Sequence, residues 1–139
     1  MAGFLKGTPV DIPGGTCRID DLRFRDLIFS GVDTVESVRI SCINFQLASW
    51  FIRIQLPEIF IKASPDQLFL ADNLSVFAAA SQLEPGMRLL YIDGEWKEIQ
   101  QVDIIRLRAP VTSVAVFDAD GLYVKGVYVG ADPSCRRMT

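Results

Sequence analysis

The sequence contains no histidine. That single absence removes Ser-His-Asp and Cys-His catalytic pairs and every His-ligated metal site. Cysteine is scarce as well. Cys17, Cys42 and Cys135 are odd in number and widely spaced, with no CxxC. The pattern argues against a zinc site and against a disulfide framework. It reads as two small core thiols and one exposed tail thiol. Long apolar runs are also missing. The most apolar stretch, Ile43 to Ile61, is broken by Asn44, Gln46, Arg53, Gln55, Pro57 and Glu58. A membrane span needs about 20 nearly uncharged residues, so no membrane association is expected. Residues 1–6 lack the apolar core of a secretory leader, which makes a cytoplasmic location the default expectation. Basic residues do not dominate: 14 Lys+Arg face 17 Asp+Glu, a net charge of −3. A general nucleic-acid binder needs a basic face, so no nucleic-acid partner is expected. Arg106, Arg108, Arg136 and Arg137 are too dispersed to form one.

What is present is strand and turn. The chain has 139 residues, half of them hydrophobic, which suits one domain with a real core. Apolar residues recur every second position through Val38, Ile40 and Cys42, through Ile43, Phe45 and Leu47, and through Ile52, Ile54 and Leu56. That period marks strands with one face inward. The phase slips between Cys42 and Ile43, where a bulge is expected. Pro13-Gly14-Gly15, Pro57-Glu58, Asp93-Gly94 and Asp118-Ala119-Asp120-Gly121 read as turns that join hairpins. Helical signals are confined to single turns at Asp20-Asp21-Leu22 and at Ala78 to Leu83. Many short strands with regular turns imply an all-β fold. Residues 1–131 form the domain, and 132–139 read as a polar, frayed tail.

One offset recurs. A shift of 61 pairs Leu22 with Leu83, Ile28 with Leu89, Val35 with Trp96 and Val38 with Ile99. Two similar β lobes related by a pseudo-twofold, with a cleft between them, would produce it.

Five blocks in order then resemble one family. Gly3-Phe4-Leu5-Lys6-Gly7-Thr8-Pro9-Val10 is similar to the opening block of Hint (hedgehog/intein) domains, Cys-Phe-x-x-Gly-Thr-x-Val. Ile19 through Ile28 resembles the next segment, with Arg25 in place of its usual Gly. Lys62 through Phe69 resembles the middle block, Ala-Thr-Pro-x-His-x-Phe. Leu83 through Leu89 resembles Leu-x-x-Gly-Asp-x-Leu. Val114 through Val129 resembles the closing strand pair. The resemblance runs from residue 3 to about 131 and implies a horseshoe of two pseudo-symmetric β lobes. It also implies self-splicing or autoproteolysis, with no cofactor and no metal. In that family the first Cys or Ser attacks the preceding carbonyl, the middle Thr and His polarise and protonate the scissile amide, and a terminal His-Asn pair cyclises the Asn and releases the downstream peptide. Such a domain acts in cis on its own flanking peptides.

The reactive positions depart from that pattern. Gly3 stands where the nucleophile belongs, so no side chain can attack. Gln67 stands where the middle His belongs; it donates hydrogen bonds but shuttles no proton near neutral pH. Gly130 and Ala131 replace the terminal His-Asn. Ser64 alone keeps a hydroxyl, in place of Thr. The expectation is a domain that has lost its cleavage chemistry. The alternatives are a still-active domain using Ser64 as an unusual nucleophile, and a non-enzymatic module that binds a peptide or protein.

Other candidates are weaker. Asp118-Ala119-Asp120-Gly121 lacks the remaining ligands of a calcium loop and reads as a turn. Asp20, Asp21 and Asp26 read as a helix cap and solvated face. A carboxylate pair among Asp20, Asp21, Asp66 and Asp118 has no supporting spacing. Trp50, Phe51 and Trp96 read first as core and second as a peptide groove.

Overall fold

A computed structural model describes residues 2–72 and 76–132. Thirteen strands follow one another: β1 (Phe4–Leu5), β2 (Pro9–Ile12), β3 (Gly15–Arg18), β4 (Leu27–Ser30), β5 (Glu36–Leu56), β6 (Ile59–Ala63) and β7 (Leu68–Leu70), then β8 (Phe77–Ala79), β9 (Arg88–Leu90), β10 (Trp96–Glu98), β11 (Gln101–Val116), β12 (Gly121–Val124) and β13 (Val127–Gly130). Two single 3-10 turns, Ile19–Asp21 and Ala80–Gln82, fall at the two expected helical places. The strands form a five-stranded sheet in the order β11-β1-β6-β5-β4, with β11 also paired to β5. A six-stranded sheet runs β3-β2-β12-β13-β7-β8, and β9 pairs with β10. Every pairing among the described residues is antiparallel. The turn at Asp118 to Gly121 carries β11 to β12 without a hairpin, because β12 pairs with β13 and β2 instead. Val10 lies opposite Val124, so the two ends of the chain share one sheet.

The repeat survives in hydrogen bonds, not only in apolar positions. Leu22 N–H donates to Ile19 O, and Leu83 N–H to Ala80 O; Asp26 N–H donates to Arg23 O, and Met87 N–H to Glu84 O. Each pair of bonds differs by 61 residues. A second set is shifted by 59: Thr8 N–H donates to Leu5 O, and Gln67 N–H to Ser64 O. Thr8 and Gln67 therefore hold equivalent places in the two lobes. Leu22, Leu83, Ile28 and Leu89 are all buried in one continuous core, as their shared positions require.

Two features differ from the sequence expectation. The strand pattern suggests short strands, but β5 is a single strand of 21 residues and β11 one of 16. They pair along their length as one ribbon. The ribbon extends past the core, so Phe45 and Leu47, expected to face inward, are about 60% exposed. Alternation marks which residues share a face; it does not say whether anything covers that face. The register slip falls at Ser41, between Ile40 and Cys42, one residue ahead of its expected place.

Cys42 is also no free core thiol. It is disulfide-bonded, whereas Cys17 is free. Spacing in sequence holds no information on which cysteines approach in space. Cys135 lies outside the described residues, as does the tail beyond Asp132. Asp132 itself is not frayed: it is buried, and its N–H donates to Val114 O at 2.9 Å.

The β12–β13 hairpin closes on Lys125 (φ 49°) and Gly126 (φ 78°), both left-handed as a two-residue turn requires. Asp11 on β2 accepts from Gly126 N–H at 2.6 Å and fixes that turn. Burial raises the Asp11 carboxyl above its ordinary range, and the Gly126 bond opposes this. The folded state thus holds this proton more tightly than the unfolded state, and stability falls as pH rises from the unfolded value of about 4 through the folded one. Asp11→Asn keeps the acceptor oxygen. It is expected to raise the Tm at pH 7 and to leave it unchanged at a pH of about 3. A gain of equal size at both pH values would contradict this origin.

Candidate functional site

Three distant segments converge at the base of the ribbon. Gly3 precedes β1, and Phe4 lies between Thr112 of β11 and Ala63 of β6 in the register. Gly3 therefore sits beside Ser64 on one side, and its open face points at the Thr112 carbonyl on the other. The Ser64 N–H donates to Gly3 O at 2.9 Å. Ser64 begins the turn after β6, and Pro65 and Asp66 lead through it to Gln67. The Gln67 side chain is buried and turned across to β13, where Nε2 donates to Gly130 O at 2.8 Å. The same amide donates to Leu68 O at 2.9 Å. Ala131 N–H donates to Asp120 O, which holds the end of β13 against the turn before β12. The structure therefore brings together Gly3, Ser64, Gln67, Gly130 and Ala131, from opposite ends of the sequence.

The packing at two of these positions admits only glycine. Gly3 has φ +146°, and a Cβ there would overlap Val111 Cγ1 and lie 2.7 Å from the Thr112 carbonyl oxygen. A Cβ on Gly130 would lie 2.8 Å from Leu68 Cβ and 3.3 Å from the Phe77 ring. Real Cβ atoms do not approach backbone or Cβ neighbours so closely. The neighbours have closed over the places where side chains would project.

Hydroxyls remain. Ser64 Oγ and Thr112 Oγ1 are buried with no hydrogen-bond partner. Such orphans are expensive and rare in a folded interior. Neither is bonded to a group that could take its proton, so neither is activated as a nucleophile. Gln67 can polarise a carbonyl, as it does at Gly130, but it cannot deliver a proton to a leaving amine.

Beside β13 lies a cavity of about 530 Å³, lined by Ser41, Leu68, Phe77, Asp120, Ala131 and Asp132. Asp120 accepts from Tyr128 Oη at 2.7 Å. Burial, then the bond to Asp120, pushes the Tyr128 phenol well above its ordinary range, so it stays a donor. A second hollow, of about 250 Å³, opens next to Ser64 and is lined by Leu47, Ser49, Trp50, Pro65, Asp66 and Val111. Trp50 is exposed on this side, whereas Phe51 is core and Trp96 packs on a small cluster of Leu70, Leu90, Tyr123 and Tyr128. The three aromatics are not one groove. No cluster of metal-ligating side chains exists among the described residues.

Thr112 and Asp120 were not legible as site residues. Thr112-Ser113 inside the apolar run from Val111 to Val116 was the available signal: polar side chains in a buried strand. Asp120 reads from sequence only as part of a turn.

No protein-family model matches the sequence, and no curated protein matches it. Solved structures do. A bacterial intein-like domain from Clostridium thermocellum superposes with a TM-score of 0.87 at 17% identity, covering 95% of this chain and 99% of that one. The gp41-1 intein gives 0.81 at 17% identity, with 95% and 99% covered. A DnaB intein from Synechocystis gives 0.82 at 15% identity, again with 95% and 99% covered. The chain has the all-β Hint fold of these structures.

Proposed function

We propose that this chain is an intein-like domain that retains the Hint fold and has lost self-cleavage. The observation that carries this reading is the closure at Gly3. Where the first residue of such a domain needs a nucleophilic side chain, the backbone is left-handed and Val111 and Thr112 fill the space. Chemistry at this place would need an attacking atom, a proton donor and an acceptor for the developing charge. Only the last has a candidate, in the Gln67 amide and the Ser64 hydroxyl. The terminal step is likewise without Asn to cyclise, since Ala131 occupies that place. The domain would therefore leave its flanking peptides intact and serve as a folded module.

A second reading is favoured by the hollow beside Ser64. It adjoins Ser64, and Leu47, Trp50 and Pro65 give it an apolar wall. In that reading the module holds a peptide there without cutting it.

The test is direct. Inert domains are fused before residue 3 and after residue 131, and the intact mass is followed over days with and without added thiol. The expected result is an unchanged mass under both conditions. Time-dependent cleavage or ligation at either junction would overturn the inactive reading and favour Ser64 as a working hydroxyl.

A further inference from the structure

Away from this site, three cations gather on one aromatic ring. Arg53 on β5 and Lys62 on β6 are directly opposite in the register, so like charges face each other on one side of the sheet. Such a pair is destabilising. Phe60, two residues before Lys62, shares that side and is exposed. The Arg53 guanidinium lies 4.4 Å from the Phe60 ring centre and the Lys62 ammonium 5.7 Å. Lys125 arrives from the β12–β13 turn, its ammonium 4.6 Å from the same centre and donating to Phe60 O at 2.8 Å. Its left-handed backbone, at φ 49°, is costly for a residue with a long side chain.

Among the described residues, none of the three cations makes an ion pair. The ion pairs there involve Arg18, Arg88 and Lys97. Asp103 stands opposite Arg53 on β11, but it accepts from Gln101 at 2.8 Å and makes no ion pair with Arg53. Arg53 is bonded instead to the neutral Gln55. Burial and the nearby Lys62 charge both press the Lys125 ammonium below its ordinary range. The face of one ring cannot offset three charges. A chain of net charge −3 thus keeps three half-buried cations together at a cost to its own stability. Local conflict of this kind marks a place built for something else.

We propose that Arg53, Lys62, Lys125 and Phe60 form a docking site for an acidic peptide segment. Its carboxylates would meet the three cations, and an apolar side chain between them would cover Phe60. Two features select a peptide over other anions. A bare phosphate makes no use of the exposed ring, and an extended nucleic acid would meet the acidic remainder of the surface. The site does not depend on whether the domain cleaves itself.

The experiment is an amide NMR titration of the full chain with the peptide acetyl-Glu-Glu-Leu-Glu-Glu-amide. The expected shifts centre on Arg53, Phe60, Lys62 and Lys125, and vanish at about 1 M salt, where the screening length is ~3 Å. The Gln analogue of the peptide should produce none. Lys62→Gln and Lys125→Asn should each weaken binding about tenfold, one charge-assisted contact. Asn tolerates the left-handed backbone, so Lys125→Asn should keep the fold, and its own spectrum reports whether it does. Absence of shifts at millimolar peptide, shifts centred elsewhere, or equal binding of the Gln analogue would overturn the proposal. So would inorganic phosphate producing the same shifts and displacing the peptide, which would make this a simple anion site.

Discussion

Gly3→Ala is expected to destabilise the domain by about 3–5 kcal/mol, a loss of roughly 15 °C in Tm. Two independent effects combine. The backbone at Gly3, φ +146°, lies in a region that residues with a Cβ rarely adopt. The added methyl would also meet Val111 Cγ1 and the Thr112 carbonyl in a buried space. The carbonyl belongs to β11, which pairs on both sides, so it cannot retreat. The contributions can be separated with Val111→Ala, which removes Cγ1 and leaves the carbonyl. That change alone should cost about 2 kcal/mol for the cavity. The double variant should be more stable than the sum of the singles by at least about 1 kcal/mol. Thermal or urea unfolding of the four proteins measures the cycle. Additive costs, or a Gly3→Ala protein as stable as the parent, would show that this end of the chain is not closed. The same argument covers Gly3→Cys, the substitution that would restore a nucleophile. It carries a larger side chain into the same space, so it is expected to cost at least as much stability as Gly3→Ala.

Gly130→His should cost about 3–4 kcal/mol for a related reason. Here the backbone is not left-handed, and the conflict is steric alone. The new Cβ would be 2.8 Å from Leu68 Cβ and 3.3 Å from the Phe77 ring. Because the first overlap is between two Cβ atoms, Leu68→Ala should not relieve it, whereas Leu68→Gly should. The substitution also threatens the Gln67 bond to the Gly130 carbonyl, a buried polar contact worth about 1 kcal/mol more. A protein carrying Gly3→Cys, Gln67→His, Gly130→His and Ala131→Asn together is then expected to fold poorly and to leave its fused flanks uncut. If Gly130→His melts at the parent temperature, the closure around β13 is not real. If the fourfold variant cleaves, the frame has kept its competence and only the side chains were missing.

Much of the architecture was legible because it is written in periods. Two-residue alternation identified the strands, and Pro57-Glu58 and Asp93-Gly94 identified hairpins that close β5 on β6 and β9 on β10. Asp20-Asp21-Leu22 and Ala78 to Leu83 marked the places of both 3-10 turns. Phe45 and Leu47 escape that pattern because alternation is blind to what lies above a sheet, and on the ribbon both stay about 60% exposed. Asp132 was misread as tail because its polarity suggested solvent, while its backbone is held by Val114. Cys42 was misread because pairing depends on distances that sequence spacing does not encode.

The candidate site divides in the same way. Sequence order and block spacing nominated Gly3, Ser64, Gln67, Gly130 and Ala131, and showed which chemical groups were absent from them. The missing histidine was decisive there, since composition alone bars imidazole from both places the family pattern reserves for it. Composition could not say whether those places stand open, awaiting a side chain, or have been filled. The fold decided that. Val111, Thr112, Leu68 and Phe77 approach from strands far away in sequence, and their atoms occupy the volume a Cβ would need. The sequence determines what each residue can donate, accept or attack; only the tertiary packing decides whether room remains to do it, because close-packed neighbours exclude volume regardless of their order along the chain.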